Sequence, residues 1–179
     1  MVRGAECART KSRLGDPKTL KLHHQPSAQN TLDELHAASA NDKQRWSERS
    51  KAAETDNSSG GGALVRLGEF YLAVSRDEGE FLYVFARAIG ARNIVEFGAS
   101  FGISSIYLAA AAKDNDGTLT TTEVHPEKCA ALRDTFRQAE LSGVVNLLEG
   151  DARETLRDIN APIDLLFLDG WKSVARQSG

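Results

Sequence analysis

Four charged side chains in this chain, Glu96, Glu123, Asp169 and Lys172, each lie at or just past the end of a stretch that reads as a strand. Strand ends are where open α/β sheets receive their ligands. The first opens Glu96-Phe97-Gly98-Ala99-Ser100-Phe101-Gly102, a glycine turn between a strand and a helix N-terminus. A dinucleotide site wants G-x-G-x-x-G, in which the second glycine lets the backbone approach a pyrophosphate. Here that position is Ser100. A ligand without a pyrophosphate fits better, and a nucleoside with a charged amino-acid tail suits a site with a carboxylate and free amides.

S-adenosylmethionine (SAM) is such a ligand. Glu123 closes the second strand, 27 residues after Glu96 by subtraction, where a carboxylate can accept both ribose hydroxyl hydrogens. NAD sites use the same device, so the glycine spacing and not Glu123 separates the two cofactors. Asp151 and Ala152 follow the third strand, where an adenine edge would lie, although Asp151-Ala152-Arg153-Glu154 is equally a helix cap. Phe167-Leu168-Asp169-Gly170-Trp171-Lys172 ends the fourth strand. In a doubly wound sheet that strand lies beside the first, which brings Asp169 to the crevice of Gly98.

The elements that must position these groups are legible in the spacing. Ser75-Arg76-Asp77-Glu78 has the form of a capping box and starts a helix in which Phe81, Leu82, Phe85 and Ile89 recur at helical spacing before Gly90. Asn93 to Phe97 reads as a buried strand, Ile103 to Ala112 as a helix and Thr118 to Val124 as a threonine-rich strand. Pro126 fits a first helical position, and the helix it opens puts Cys129, Leu132, Phe136 and Ala139 on one face. Val144 to Leu148, Asp151 to Ile159 and Ile163 to Leu168 then read as strand, short helix and strand. Alternating strands and helices imply an α/β domain on a parallel sheet. Upstream, residues 1–30 read as a disordered tail, 31–56 as a weakly amphipathic helix with Trp46 as a packing anchor, and 57–62 as a Gly/Ser linker. The domain proper is expected over 63–179.

At 179 residues, with 41% hydrophobic and 26% charged side chains and a net charge of -3, the chain has the composition of one globular domain plus a tail. Nothing in that balance suggests nucleic acid or an anionic membrane as a partner. Cys7 and Cys129 lie far apart, so neither a disulfide framework nor a metal cluster is suggested, and a cytoplasmic setting fits. The four histidines have no zinc spacing with a cysteine. Without further information, Asp169 and Lys172 read as solvated surface charges and Cys129 as core.

From Val74 to Lys172 the chain resembles the class I SAM-dependent methyltransferases of the catechol O-methyltransferase type. The resemblance is carried by Val74-Ser75-Arg76-Asp77-Glu78-Gly79, Glu96-Phe97-Gly98-Ala99-Ser100-Phe101-Gly102-Ile103-Ser104, Glu123 and Phe167-Leu168-Asp169-Gly170-Trp171-Lys172. It implies a Rossmann-like doubly wound parallel sheet. It also implies that Val74, Glu96, Gly98, Ser104 and Glu123 hold the cofactor, that Ala152 faces the adenine beside Asp151, and that Trp171 packs near cofactor and substrate entrance. Asp169 matches a magnesium ligand and Lys172 the general base that takes a phenolic proton from a small hydroxylated acceptor.

Family members continue through a fifth strand, which supplies an Asp-Asn pair to the metal site, and a hairpin. This chain instead ends Ser173-Val174-Ala175-Arg176-Gln177-Ser178-Gly179. The expectation is an O-methyltransferase with its C-terminal strands missing and little turnover, or an inactive fragment that keeps some SAM affinity. A nicotinamide-dependent oxidoreductase is disfavoured by Ser100. The apolar run Leu165-Leu166-Phe167-Leu168 would become an uncovered edge, through which self-association is expected.

Overall fold

The structure, a computed structural model, describes residues 22, 24–42, 44 and 73–170. Trp46, the Gly/Ser linker at 57–62, Trp171 and Lys172 lie outside them. The elements are α1 (Pro26–Ser39), α2 (Arg76–Ala88), β1 (Asn93–Phe97), α3 (Ile103–Asp114), β2 (Thr118–Glu123), α4 (Pro126–Gln138), β3 (Val145–Glu149), α5 (Ala152–Thr155) and β4 (Leu165–Leu168). Strand order is β3-β2-β1-β4 and every pairing is parallel. The chain steps outward from β1 to β3 and returns to the other side of β1, so the order reverses between β1 and its neighbours. That reversal opens a crevice beyond the strands' C-terminal ends. This is the parallel α/β fold expected from the sequence.

Local chemistry explains the boundaries. The box that starts α2 is formed: Glu78 donates its amide to Ser75 Oγ at 3.3 Å, and Ser75 donates its own to Glu78 Oε2 at 2.7 Å. Pro126 opens α4, where its missing N–H removes no helical bond. Cys129, Leu132, Phe136 and Ala139 are all buried, as their spacing implies. α3 has no exposed face from Ile103 to Ala112 and forms the centre of the core, packed on β1, β2, α1 and α2. At the opposite end from the crevice, Asp164 Oδ2 accepts the amides of Arg92 (2.9 Å) and Asn93 (2.8 Å), tying the entrance of β4 to β1.

Three features differ from the sequence reading. α1 begins at Pro26, inside the stretch expected to be a tail, because Leu22 and Gln25 are buried against α3. Gln25 Nε2 donates to Ala110 O and to Asp114 Oδ1, both at 3.0 Å. Secondly, α2 buries Gly79, Leu82, Tyr83 and Ala86, while Phe81, Phe85 and Ile89 of the apolar stripe are exposed. Small residues decide this. A Cβ on Gly79 would lie 2.1 Å from the ring of Tyr107, so the glycine admits that ring and fixes which face of α2 meets α3. Thirdly, α5 ends at Thr155, short of the expected Ile159.

β4 is an edge of the described sheet. Leu165 and Phe167 pack against the core containing α3. Leu166 and Leu168, on the alternate face, are 50% and 64% exposed. Among the described residues no helix is long and apolar enough to cross a membrane.

Candidate functional site

The glycine turn joins β1 to α3 with three positive φ angles: Gly98 at 96°, Ser100 at 51° and Gly102 at 97°. Two of the glycines are required by space as well as by conformation. A Cβ on Gly98 would sit 2.8 Å from Gly170 Cα at the end of β4, and one on Gly102 would sit 2.9 Å from Leu132 Cδ2 of α4. Backbone thus meets backbone where β1 and β4 leave the sheet.

The amides of this turn are not free, contrary to the sequence expectation. Gly98 donates to Thr122 Oγ1 (3.4 Å), Ala99 to Thr122 O (2.9 Å), Ser100 to Glu123 Oε2 (2.9 Å) and Gly102 to Ala99 O (2.8 Å). The loop is therefore laced to the end of β2. Glu123 is 7% exposed, and its other oxygen, Oε1, accepts the amides of Val124 (2.8 Å) and His125 (2.9 Å). A carboxylate has about four lone-pair positions. Three amides leave room for one ribose hydroxyl by this count, where two had been expected.

Glu96 is held inside the fold at the end of β1. Its side chain has no solvent exposure and is enclosed by hydroxyls: Ser104 donates to Oε1 at 2.6 Å, Thr121 to Oε2 at 2.6 Å, and Ser105 also to Oε2. Burial pushes this carboxyl up, the three hydroxyls oppose the rise, and the charge of Asp169 adds to it. In the structure Glu96 and Ser104 form a buried pair that joins β1 to the first turn of α3. Ser105 and Thr121 were not recognised as its partners, because their proximity depends on the packing of α3 over β2.

Val74 is half-buried against the core just ahead of α2. Asp151 accepts the Arg153 amide at 2.9 Å and receives the Arg153 guanidinium on both oxygens, so its capping role is realised. Those bonds hold its carboxyl below the usual range. Ala152 is half-exposed beside it. Asp169 is exposed at the end of β4, with its amide on Phe97 O at 3.1 Å. Among the described residues there is no group of three or more His, Cys, Asp or Glu that could hold a metal ion.

One residue of the site carried no sequence signal at all. Lys128, in the first turn of α4, is 2% exposed; its Nζ donates to Ser100 Oγ at 3.0 Å and lies 5.0 Å from the centre of the Phe101 ring. Burial lowers its pKa against the raising influence of Glu123 and Asp42.

Comparison with known proteins agrees with this fold. Residues 95–177 match the family model described as a methyltransferase domain, a span that includes Trp171 and Lys172. A catechol O-methyltransferase of Mycobacterium tuberculosis is 35% identical over 102 residues, covering 56% of this chain and 46% of that protein. One from Niastella koreensis is 32% identical over 114 residues, covering 62% and 51%. Among solved structures, an O-methyltransferase from Bacillus cereus in complex with SAH aligns with a TM-score of 0.57 at 26% identity, over 79% of this chain and 54% of that one. An O-methyltransferase of Streptomyces achromogenes involved in tomaymycin synthesis, in complex with SAM, aligns with a TM-score of 0.53 at 29% identity, over 71% and 61%. The chain spans about half the length of the curated relatives it matches.

The fold is the Rossmann-like parallel α/β arrangement that these SAM- and SAH-bound O-methyltransferases share. Over residues 95–177 the chain matches a methyltransferase domain, and the relatives it resembles there include catechol O-methyltransferases.

Proposed function

We propose that this chain binds SAM, or its demethylated product SAH, beyond the ends of β1 and β2, and that the protein methylates an oxygen of a small, catechol-like acceptor. The observation that carries this reading is the bond from the Ser100 amide to Glu123 Oε2, which holds the glycine turn against a strand-end carboxylate with acceptor capacity to spare. Glu123 would receive a ribose hydroxyl. Gly98 would let the ligand approach bare backbone, and Val74, Asp151, Ala152 and Trp171 would line the nucleoside. Among the described residues no side chain caps α3 at Gly102, so the positive end of that helix suits the cofactor's carboxylate near Ser104. When bound, SAM supplies an activated methyl group. Two relatives are named catechol O-methyltransferase, which supports the acceptor class.

Lys172 would take the acceptor's proton, a role it could fill only with a lowered pKa. A second reading is cofactor binding with little or no turnover.

Calorimetry on the full chain with SAH and, separately, with NAD tests the first half of the proposal. SAH is expected to bind and NAD to bind more weakly, and the reverse order would overturn the class of ligand. Glu123→Ala should weaken SAH by about 1 to 3 kcal/mol. Transfer of a labelled methyl group to a catechol, with and without magnesium, separates an enzyme from a binding-only chain.

A further inference from the structure

Ser100 occupies the position at which a dinucleotide loop would carry glycine, and it adopts the left-handed φ of 51° that glycine adopts without steric penalty. A residue with a Cβ keeps such a conformation only when its surroundings hold it there. Two bonds do so. The Ser100 amide is fixed on Glu123 Oε2 at 2.9 Å, and its hydroxyl accepts from Lys128 Nζ at 3.0 Å. The lysine comes from α4, is 2% exposed, and packs its ammonium over the Phe101 ring, so the same side chain grips two successive residues of the turn. Burying an ammonium is costly unless it is compensated. Glu123 and Asp42 exert that compensation electrostatically, so the buried cation and the proposed ribose acceptor form one unit around Ser100.

We propose that Lys128 is a positioning residue of the cofactor site: by holding Ser100 in the left-handed conformation it keeps the 98–102 turn in the shape that receives the ligand. This rests on the SAM-binding reading for the ligand's identity, but not for the behaviour of the turn. The logic makes a specific demand. If the lysine is needed because Ser100 has a Cβ, replacing that serine with glycine should make the lysine dispensable.

Hydrogen exchange of the Ser100 amide in the ligand-free full chain tests the grip directly. Lys128→Met should accelerate that amide on the order of tenfold relative to the amides of β1, the effect of losing one bond to a charged group. Ser100→Ala, which removes the accepting hydroxyl and leaves the lysine in place, should do the same and decides the matter if Lys128→Met fails to fold. For SAH, Lys128→Met should raise Kd on the order of tenfold, and Lys128→Met with Ser100→Gly should return it to within about threefold of the parent. A merely structural lysine would give no such rescue. Unchanged Ser100 exchange in a folded variant, or a double variant no better than Lys128→Met, would overturn the proposal. Failure of the parent chain to bind SAH would instead remove the ligand reading, leaving the exchange result to stand or fall by itself.

Discussion

Ser104 donates its hydroxyl to Glu96 Oε1 at 2.6 Å, joining the start of α3 to a carboxylate that no solvent reaches. Removing that donor leaves a buried acceptor short of a partner, at a cost of about 1 to 3 kcal/mol. Ser104→Ala should lower the denaturant midpoint accordingly with an unchanged slope. A variant as stable as its parent would show that Ser105 and Thr121 suffice.

The same carboxyl sets a pH dependence. Burial places the folded pKa of Glu96 above its unfolded value of ~4.3. The folded state therefore holds the proton more tightly, and stability from this group is greatest below the unfolded value and falls as pH rises through the window up to the folded pKa. Glu96→Gln should remove that slope. Identical pH profiles of the unfolding midpoint in parent and variant would contradict this assignment.

Asp114 works in the opposite sense. Burial alone would raise its carboxyl, but hydrogen bonds from His24 and Tyr83, at 2.7 Å each, with the charges of His24 and Arg87, hold it below the ordinary range. Its contribution is present above the unfolded value of ~3.9 and is lost as pH falls through the folded one. Asp114→Asn should flatten the acid limb of stability, read by fluorescence-monitored unfolding between pH 2 and 5 on the order of one-half-unit steps.

Gly98→Ala confronts both a φ of 96° and backbone 2.8 Å away at Gly170. Backbone strain of this kind costs about 1 to 3 kcal/mol, and the turn must shift away from β4. We expect a lower thermal midpoint together with loss of measurable SAH binding. Retained affinity would show that the crevice tolerates a wider gap between β1 and β4.

The expectation of self-association along β4 also has a direct measurement. Leu166 and Leu168 are exposed on an edge without charge or proline between Leu165 and Leu168. Sedimentation should then show a concentration-dependent increase in mass that Leu166→Lys reduces. A parent chain that stays monomeric across the range would rule this pairing out.

Much of this was readable in the residues, and the exceptions share a cause. The capping box at Ser75 and the turn at Gly98 follow from local chemistry, the parallel sheet from the alternation of strands with helices, and the place of β4 beside β1 from the doubly wound pattern the resemblance implies. What escaped reading depends on distant partners. Gln25 is buried because Ala110 and Asp114 lie opposite it, and Lys128 looks like any helical surface lysine until α4 docks beside Ser100. On α2, a glycine and an alanine outcompete two phenylalanines for the core because Tyr107 needs the space. The loop amides looked available because nothing in the glycine spacing reveals that Thr122 and Glu123 already accept from them.

Pairing of β4 with β1 joins Ile94 to Leu165, 71 positions apart by subtraction, whereas β1 meets β2 across only 25, Ile94 to Leu119. Closing the longer loop costs more chain entropy, and contacts of long sequence separation form late. During folding the β1–β2–β3 unit with α3 and α4 can therefore assemble first, carrying the glycine turn and Glu123 with it. If assembly follows that order, the wall at Gly170 is added after the glycine turn and Glu123 are in place, an order that phi-value analysis of Ile94, Leu119 and Leu165 would test.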